Sequence, residues 1–388
     1  MAASAEKLLN LLLRHGSLSR ADLAKAMHLS RPAVSGLVDG LIRQGVLRET
    51  GCGASNGGKP PIMLEPVAER FGTIGVDIGH ETLLRGVLCD ASGKQLAVME
   101  LPHGNTFESI SEQALKLAAS LKAAASIPVA GFGVAVAGQV DHAANEIVYC
   151  ANFPLKNRGL AERLAAGSGL TVRLDNRARA AAQWEYYFGA ADNAEDFIFI
   201  SAERGIGTAI YLDGKLFSGR AGVAGEIRSL LLPSPDGIGL LPVEQAMSEK
   251  FLLELSGNCP DTAGLVTAWR RGEPGAVRTV DYLIGGTVYV TGLLTNLLDP
   301  ALIVLGGRFR DLGPEFAREL ATRLKVDPPR QLEFRLSKSG RIGAALGAAL
   351  GVILENCKSN EPYNIWKQML IPHKITVPHD TVIKGAIR

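Results

Sequence analysis

Leucines recur at helical spacing between residues 5 and 15, with Leu8, Leu9, Leu11 and Leu12 on one stripe, and this predicts an amphipathic helix. His15-Gly16 ends it. Ser19-Arg20-Ala21-Asp22 has the form of a capping box, in which a serine hydroxyl and an acidic side chain three residues on satisfy each other's backbone N–H groups. It opens a second helix with Leu23 and Met27 inward. A third starts at Ser30-Arg31-Pro32-Ala33, with Ser30 as N-cap and Pro32 in the first turn, where its missing N–H costs nothing. This helix turns Val34, Leu37, Val38, Leu41 and Ile42 inward and Arg31, Ser35, Gly36, Asp39 and Arg43 outward. Residues 45–50 and 61–64 then read as two strands of a hairpin, or wing, around a polar Gly-rich loop.

From residue 73 the pattern changes to strands. Residues 72–82, 84–94 and 95–100 predict three strands with a turn at Ala91-Ser92-Gly93-Lys94. A helix over 109–125 and a buried strand over 131–138 follow. The pattern then repeats: residues 197–201, 207–212 and 216–217 give three more strands, with a turn at Asp213-Gly214-Lys215. Two copies of strand-strand-strand-helix around a cleft describe an α/β body of the duplicated actin/hexokinase-like (ribonuclease H-like) type. The expected organisation is a winged helix-turn-helix over 1–66, a two-lobed body over 72–355 and a tail over 356–388.

Composition sharpens this picture. A chain of 388 residues is too long for one ordinary core, and 47% apolar with 21% charged residues is a soluble globular profile. No apolar run reaches the length of a membrane span, and residues 1–15 lack a signal-peptide pattern, so a cytoplasmic location is expected. The five cysteines are odd in number, scattered and never spaced C-x-x-C, which argues against a disulfide framework and a structural zinc site. Residues 1–66 carry a net charge of +3 and the remainder −1. A small basic head suits an anionic partner such as DNA.

In a helix-turn-helix the third helix enters the major groove N-terminal end first. Arg31 and Ser35 are best placed for base edges or phosphates. Ser30, Pro32 and Arg43 complete the candidate contact set on this helix. Gly36 and Gly40 are costly in a helix interior; a close approach to the DNA backbone or close helix packing would each explain them. The wing tip, Gly57-Gly58-Lys59-Pro60-Pro61, puts Lys59 on a thin extended loop suited to a minor groove.

Several motifs resemble the ROK family (repressors, open reading frames and kinases), over about residues 5–355. The wing tip resembles the Gly-Gly-Arg-Pro wing of ROK repressors. Leu174-Asp175-Asn176-Arg177-Ala178-Arg179-Ala180 resembles the kinases' active-site pattern Val-Glu-Asn-Asp-Ala-Asn-Ala, and Glu185 matches a glutamate eight residues after the catalytic Asp. The resemblance puts Arg177 at the position of that Asp, the base that takes a proton from the sugar hydroxyl. A guanidinium cannot accept a proton. The family's first phosphate turn, Asp-x-Gly-Gly-Thr, here reads Asp77-Ile78-Gly79-His80-Glu81, and the second, Gly-Thr-Gly-x-Gly, reads Glu203-Arg204-Gly205-Ile206-Gly207. Glu81 and Glu203 each put a negative charge where phosphate would sit. The family's zinc loop after Gly-Glu-Ile-Gly-His is also altered: Gly225-Glu226-Ile227-Arg228-Ser229 has Ser229 for the histidine, and 233–244 has no cysteine. No metal or other cofactor is expected.

The sugar side is better kept. Ala151-Asn152-Phe153-Pro154 resembles the family's Pro-Asn-Leu-Pro, and Asn152, Asn176, Glu226 and Glu244 match its hydroxyl ligands. With Arg177 they form the expected effector site. Arg177 has two candidate roles. It binds a phosphate or carboxylate of the effector, or it pairs with Glu81 or Glu203 and fills the empty nucleotide site. Arg228, replacing a glycine of the family pattern, could join either arrangement.

The resemblance implies a sugar-responsive transcription regulator, most simply a repressor, without kinase activity. It would bind operator DNA as a homodimer or homotetramer, with a sugar, sugar phosphate or sugar acid as effector. An active sugar kinase with a regulatory head is the alternative, and a protein-interaction adaptor is a third reading.

Overall fold

The computed structural model describes residues 2–54, 60–80, 82–150, 153–156, 158–192, 194–203, 205–220, 222–257, 259–325 and 331–358. Lys59, Glu81, Asn152, Arg204 and the tail from residue 359 lie outside them.

The head comprises α1 (Ala2–His15), β1 (Leu18–Ser19), α2 (Arg20–Met27), α3 (Arg31–Arg43), β2 (Leu47–Cys52) and β3 (Ile62–Pro66). The Ser19–Asp22 capping box forms as the sequence predicts, and Ser30 caps α3 by accepting the Ala33 N–H. Leu8, Leu12, Leu23, Val34, Val38 and Leu64 are all but fully buried in the head core. The two-residue β1 pairs with β3 and makes the wing a three-stranded sheet, a strand too short to carry a period in the sequence.

The first lobe follows: β4 (Gly72–Asp77), β5 (Leu83–Asp90), β6 (Gln95–Pro102), α4 (Phe107–Ala123), β7 (Val129–Val136), the hairpin β8 (Gln139–Asp141) and β9 (Glu146–Tyr149), α5 (Leu160–Ser168) and β10 (Val172–Asn176). α6 (Arg177–Phe188) leads to the second lobe. That lobe has β11 (Phe197–Ala202), β12 (Ile206–Leu212), β13 (Lys215–Phe217), the hairpin β14 (Leu231–Pro233) and β15 (Leu240–Pro242), and helices α7 (Val243–Ala246), α8 (Glu249–Leu255), α9 (Thr262–Arg270) and α10 (Pro274–Leu298). It ends with β16 (Leu302–Gly307), α11 (Arg308–Asp311), α12 (Gly313–Arg323), β17 (Glu333–Leu336) and α13 (Gly343–Lys358).

The two lobes repeat one topology. The first sheet runs β10-β7-β4-β5-β6 and the second β17-β16-β11-β12-β13. In each, an antiparallel meander of three strands is extended by two parallel strands. Parallel strands need crossovers, and α4 and α10 lie in those connections.

α6 and α13 join the parts. Gly347 of α13 approaches Ala180 of α6 so closely that a Cβ would strike its backbone carbonyl, and contacts this tight require glycine. Glu185 of α6 is fully buried and accepts hydrogen bonds from Ala190 N, Ser337 Oγ, Lys338 N and both N and Oγ of Ser339. Those bonds stabilise a carboxylate that burial alone would disfavour, and they fix α6 to the loop before α13. The head docks onto the same pair of helices. Leu13 packs with Phe71, Leu350, Ile353 and Leu354, while Arg14 stacks on Tyr186 at 3.9 Å and donates to its hydroxyl and to Ala194 O. α13 runs past the expected body end at 355, and Cys357 packs against the head core.

Candidate functional site

Between the lobes lies a cavity of about 290 Å³, lined among others by Gly79, Tyr149, Asn176, Arg177, Glu203, Gly205, Glu226, Arg228, Ser229 and Glu244. The fold therefore gathers four of the five expected effector residues. Asn152 is the fifth.

Asn176 ends β10 and caps α6. Its side-chain oxygen accepts from Ala178 N at 2.9 Å and Arg179 N at 3.3 Å, and its amide nitrogen donates to Gly138 O at 2.9 Å. One amide N–H remains for a ligand.

Arg177 is the first residue of α6. Its Nε and Nη2 donate to the two carboxylate oxygens of Asp77 at 2.7 and 2.8 Å, and Nη2 also donates to Glu203. Asp77 ends β4 in the first lobe and is 1% exposed; Glu203 follows β11 in the second. A Cβ on Gly79 would collide with the Arg177 side chain, so the guanidinium arm occupies the space over the first phosphate turn. Burial opposes its charge, but the charges and hydrogen bonds of Asp77 and Glu203 outweigh burial and raise its pKa. This arrangement matches the second of its two expected roles, with Glu203 as one partner. The other partner, Asp77, is a residue that the sequence reading left without a role, although it stands in the retained Asp-x-Gly turn.

Glu226, Arg228 and Glu244 form the outer part. Arg228 Nε lies 3.4 Å from Glu244, and its guanidinium stacks on Tyr149 at 4.5 Å. Among the described residues the Glu226 carboxylate has no hydrogen bond or ion pair. Its side chain is exposed to the cleft, whose walls still desolvate it enough to push its pKa up; Arg228 opposes and Glu244 adds to the rise. Ser229, which the resemblance aligns with the family's zinc-ligand histidine, is exposed on the cavity wall. Among the described residues, four carboxylates, Asp77, Glu203, Glu226 and Glu244, thus meet the guanidinium groups of Arg177 and Arg228.

On the head, Arg31, Pro32 and Arg43 are exposed on α3 and Ser35 is half-buried, while the hydroxyl of Ser30 is engaged in the cap. Arg20 pairs with Asp39 and Glu49, and Arg48 with Glu65 and Glu69. Arg31 and Arg43, by contrast, make no ion pair among the described residues. A Cβ on Gly36 or Gly40 would meet nothing within 4 Å, which removes helix packing as the reason for these glycines.

Comparison with known proteins gives the family and the fold. The model of the family described as ROK family matches residues 73–354. The chain belongs to the ROK family. A second model, of the MarR family, matches residues 7–54 of this ROK protein. The xylose repressor of Caldicellulosiruptor bescii is 30% identical over 259 residues, a stretch covering 64% of each chain and so just under two thirds of that relative's length. A solved ROK family transcriptional regulator, a homologue of the Escherichia coli MLC protein, superposes with a TM-score of 0.72 over 91% of this chain and 99% of its own, at 21% identity. The ROK family glucokinase of Streptomyces griseus, solved with glucose and AMPPNP, superposes at 0.63 over 72% and 98%, at 26% identity. The regulator likeness extends over the head as well as the body.

Proposed function

We propose that this ROK protein is a sugar-responsive transcriptional repressor whose cleft binds its effector without phosphorylating it. One observation carries the reading: Arg177, tied to Asp77 and Glu203, occupies the space against Gly79, where the motif resemblance puts the catalytic base and the first phosphate turn. With a guanidinium in place of a carboxylate at position 177, a sugar hydroxyl placed there is not activated for attack. Carboxylates lining a phosphate site repel the nucleotide rather than stabilise it. The cavity of about 290 Å³ lies at the lower end for small-molecule sites, ~300–1,000 Å³, which suits one sugar ring rather than a sugar with ATP.

The charge balance sets the effector class. Arg177 is already neutralised and Glu226 is unpaired among the described residues, so an uncharged monosaccharide, donating hydroxyl hydrogens to Glu226 and Glu244, fits better than a sugar phosphate or sugar acid. The uncommitted Arg31 and Arg43, with the open face at Gly36 and Gly40, support α3 as the DNA-reading helix. The protein acts as a dimer on two half-sites, and the effector alters the placement of the two heads.

Two assays test the reading. A coupled assay with magnesium ATP and a panel of hexoses and pentoses should detect no sugar-dependent ADP. Fluorescence anisotropy should show sequence-specific DNA binding that weakens steeply with salt. Sugar-dependent turnover, or no sequence-specific binding, would overturn the reading.

A further inference from the structure

We propose that Arg228 is a specificity-determining residue of the cleft, closing its mouth so that one sugar ring is accepted and a second is refused. The proposal rests on the effector reading above. Arg228 stands in the second lobe and reaches across to the first. Its Nη2 donates to the Tyr149 hydroxyl at 2.5 Å, its Cζ lies 4.5 Å from that ring's centroid, and its Nε is 3.4 Å from a Glu244 oxygen. Tyr149 ends β9 and remains 42% exposed, so the contact bridges the lobes at the solvent edge of the cavity that both residues line.

Both partners are held from behind. The backbone of Tyr149 lies so close to Gly138 that a Cβ there would strike its carbonyl oxygen. The Arg228 carbonyl accepts the Glu244 N–H at 3.1 Å, which roots the guanidinium beside the carboxylate it pairs with. A guanidinium over a tyrosine face contributes about 0.5–2 kcal/mol, and the charge-assisted hydrogen bond and ion pair add to it. A sugar seated against Glu226 and Glu244 lies under this roof. A substituent leading out past Tyr149 can be admitted only by breaking the stack, the hydrogen bond and the ion pair together. A single ring requires none of these to break.

The test is isothermal titration calorimetry on the full chain, with D-xylose and D-glucose against xylobiose and cellobiose as probes. The wild type should bind a monosaccharide and disfavour the matching disaccharide by on the order of a hundredfold. Arg228→Gly and Tyr149→Ala should each narrow that ratio by at least roughly tenfold, and Tyr149→Phe, which keeps the stack, should narrow it less. If Arg228→Gly does not fold, Tyr149→Ala decides, because its side chain is at the surface. Equal binding of mono- and disaccharide by the wild type, or an unchanged ratio in the folded variants, would overturn the role of Arg228. Binding of no sugar by the wild type would instead sink the effector reading itself, and this proposal with it.

Discussion

Arg177, which the motif resemblance aligns with the base of ROK kinases, is held by one carboxylate from each lobe. Replacing it by alanine leaves Asp77 and Glu203 facing each other with no counter-charge. Removing one partner of a buried ion pair costs about 3–5 kcal/mol, so Arg177→Ala should lose stability of that order in denaturant unfolding, while any remaining folded protein keeps its sugar selectivity. A loss under about 1 kcal/mol, the range of surface pairs, would contradict the buried tie. Glu226 gives a pH prediction. Desolvation by the cleft walls raises its pKa, so the native state holds that proton to higher pH than the unfolded chain; solvent screening at this exposed side chain keeps the stability effect small, and it is present in acid and lost as pH rises through the raised value. A sugar donating to the ionised carboxylate favours proton release. Effector affinity should therefore fall as pH drops through that value, and calorimetry across the acidic range would show it; a flat profile, or one shared by Glu226→Gln, would remove Glu226 from the site. The substitution at Arg177 is legible in the sequence from the spacing to Glu185. Its pairing with Asp77 is not, because the two lie 100 residues apart and only the sheet order brings β4 to the start of α6.

Among the elements, α3 and α6 carry the functional argument. Alanine at Gly36 or Gly40 meets no neighbour and should stabilise the helix by about 0.8–1 kcal/mol. The same methyl group on the DNA-facing side should weaken specific DNA binding. Thermal unfolding and anisotropy on the same variants separate the two effects, and unchanged DNA affinity would mean that this face does not approach the backbone. α6 links cleft and head: Arg177 begins it, and Tyr186 near its end receives Arg14 of α1. Arg14→Ala should leave sugar affinity unchanged and blunt the effect of sugar on DNA binding, whereas an altered sugar affinity would place Arg14 outside this link. The caps at Ser19 and Ser30 were readable because they depend on residues within three positions. The junction was not, because Arg14 bonds a tyrosine 172 residues away.

At the scale of the molecule, the repeated meander showed in the sequence as two runs of three strands with the same kind of turn, and the structure repeats it with two added parallel strands per lobe. The contents of the second crossover, from the β14–β15 hairpin to α10, carry no such repeat and were not legible. Nor was the course of α13 into the head core, since its small residues record close packing without naming the partner. These long-range contacts make the head, α6 and the cleft neighbours. The measurement that tests the central claim most directly is anisotropy of a DNA selected by the protein from a random pool, titrated with monosaccharides in the absence of nucleotide. The account predicts that one neutral monosaccharide shifts DNA affinity on its own, and that its phosphate ester acts much more weakly. A response that requires ATP, or that follows only the phosphorylated sugar, would contradict it.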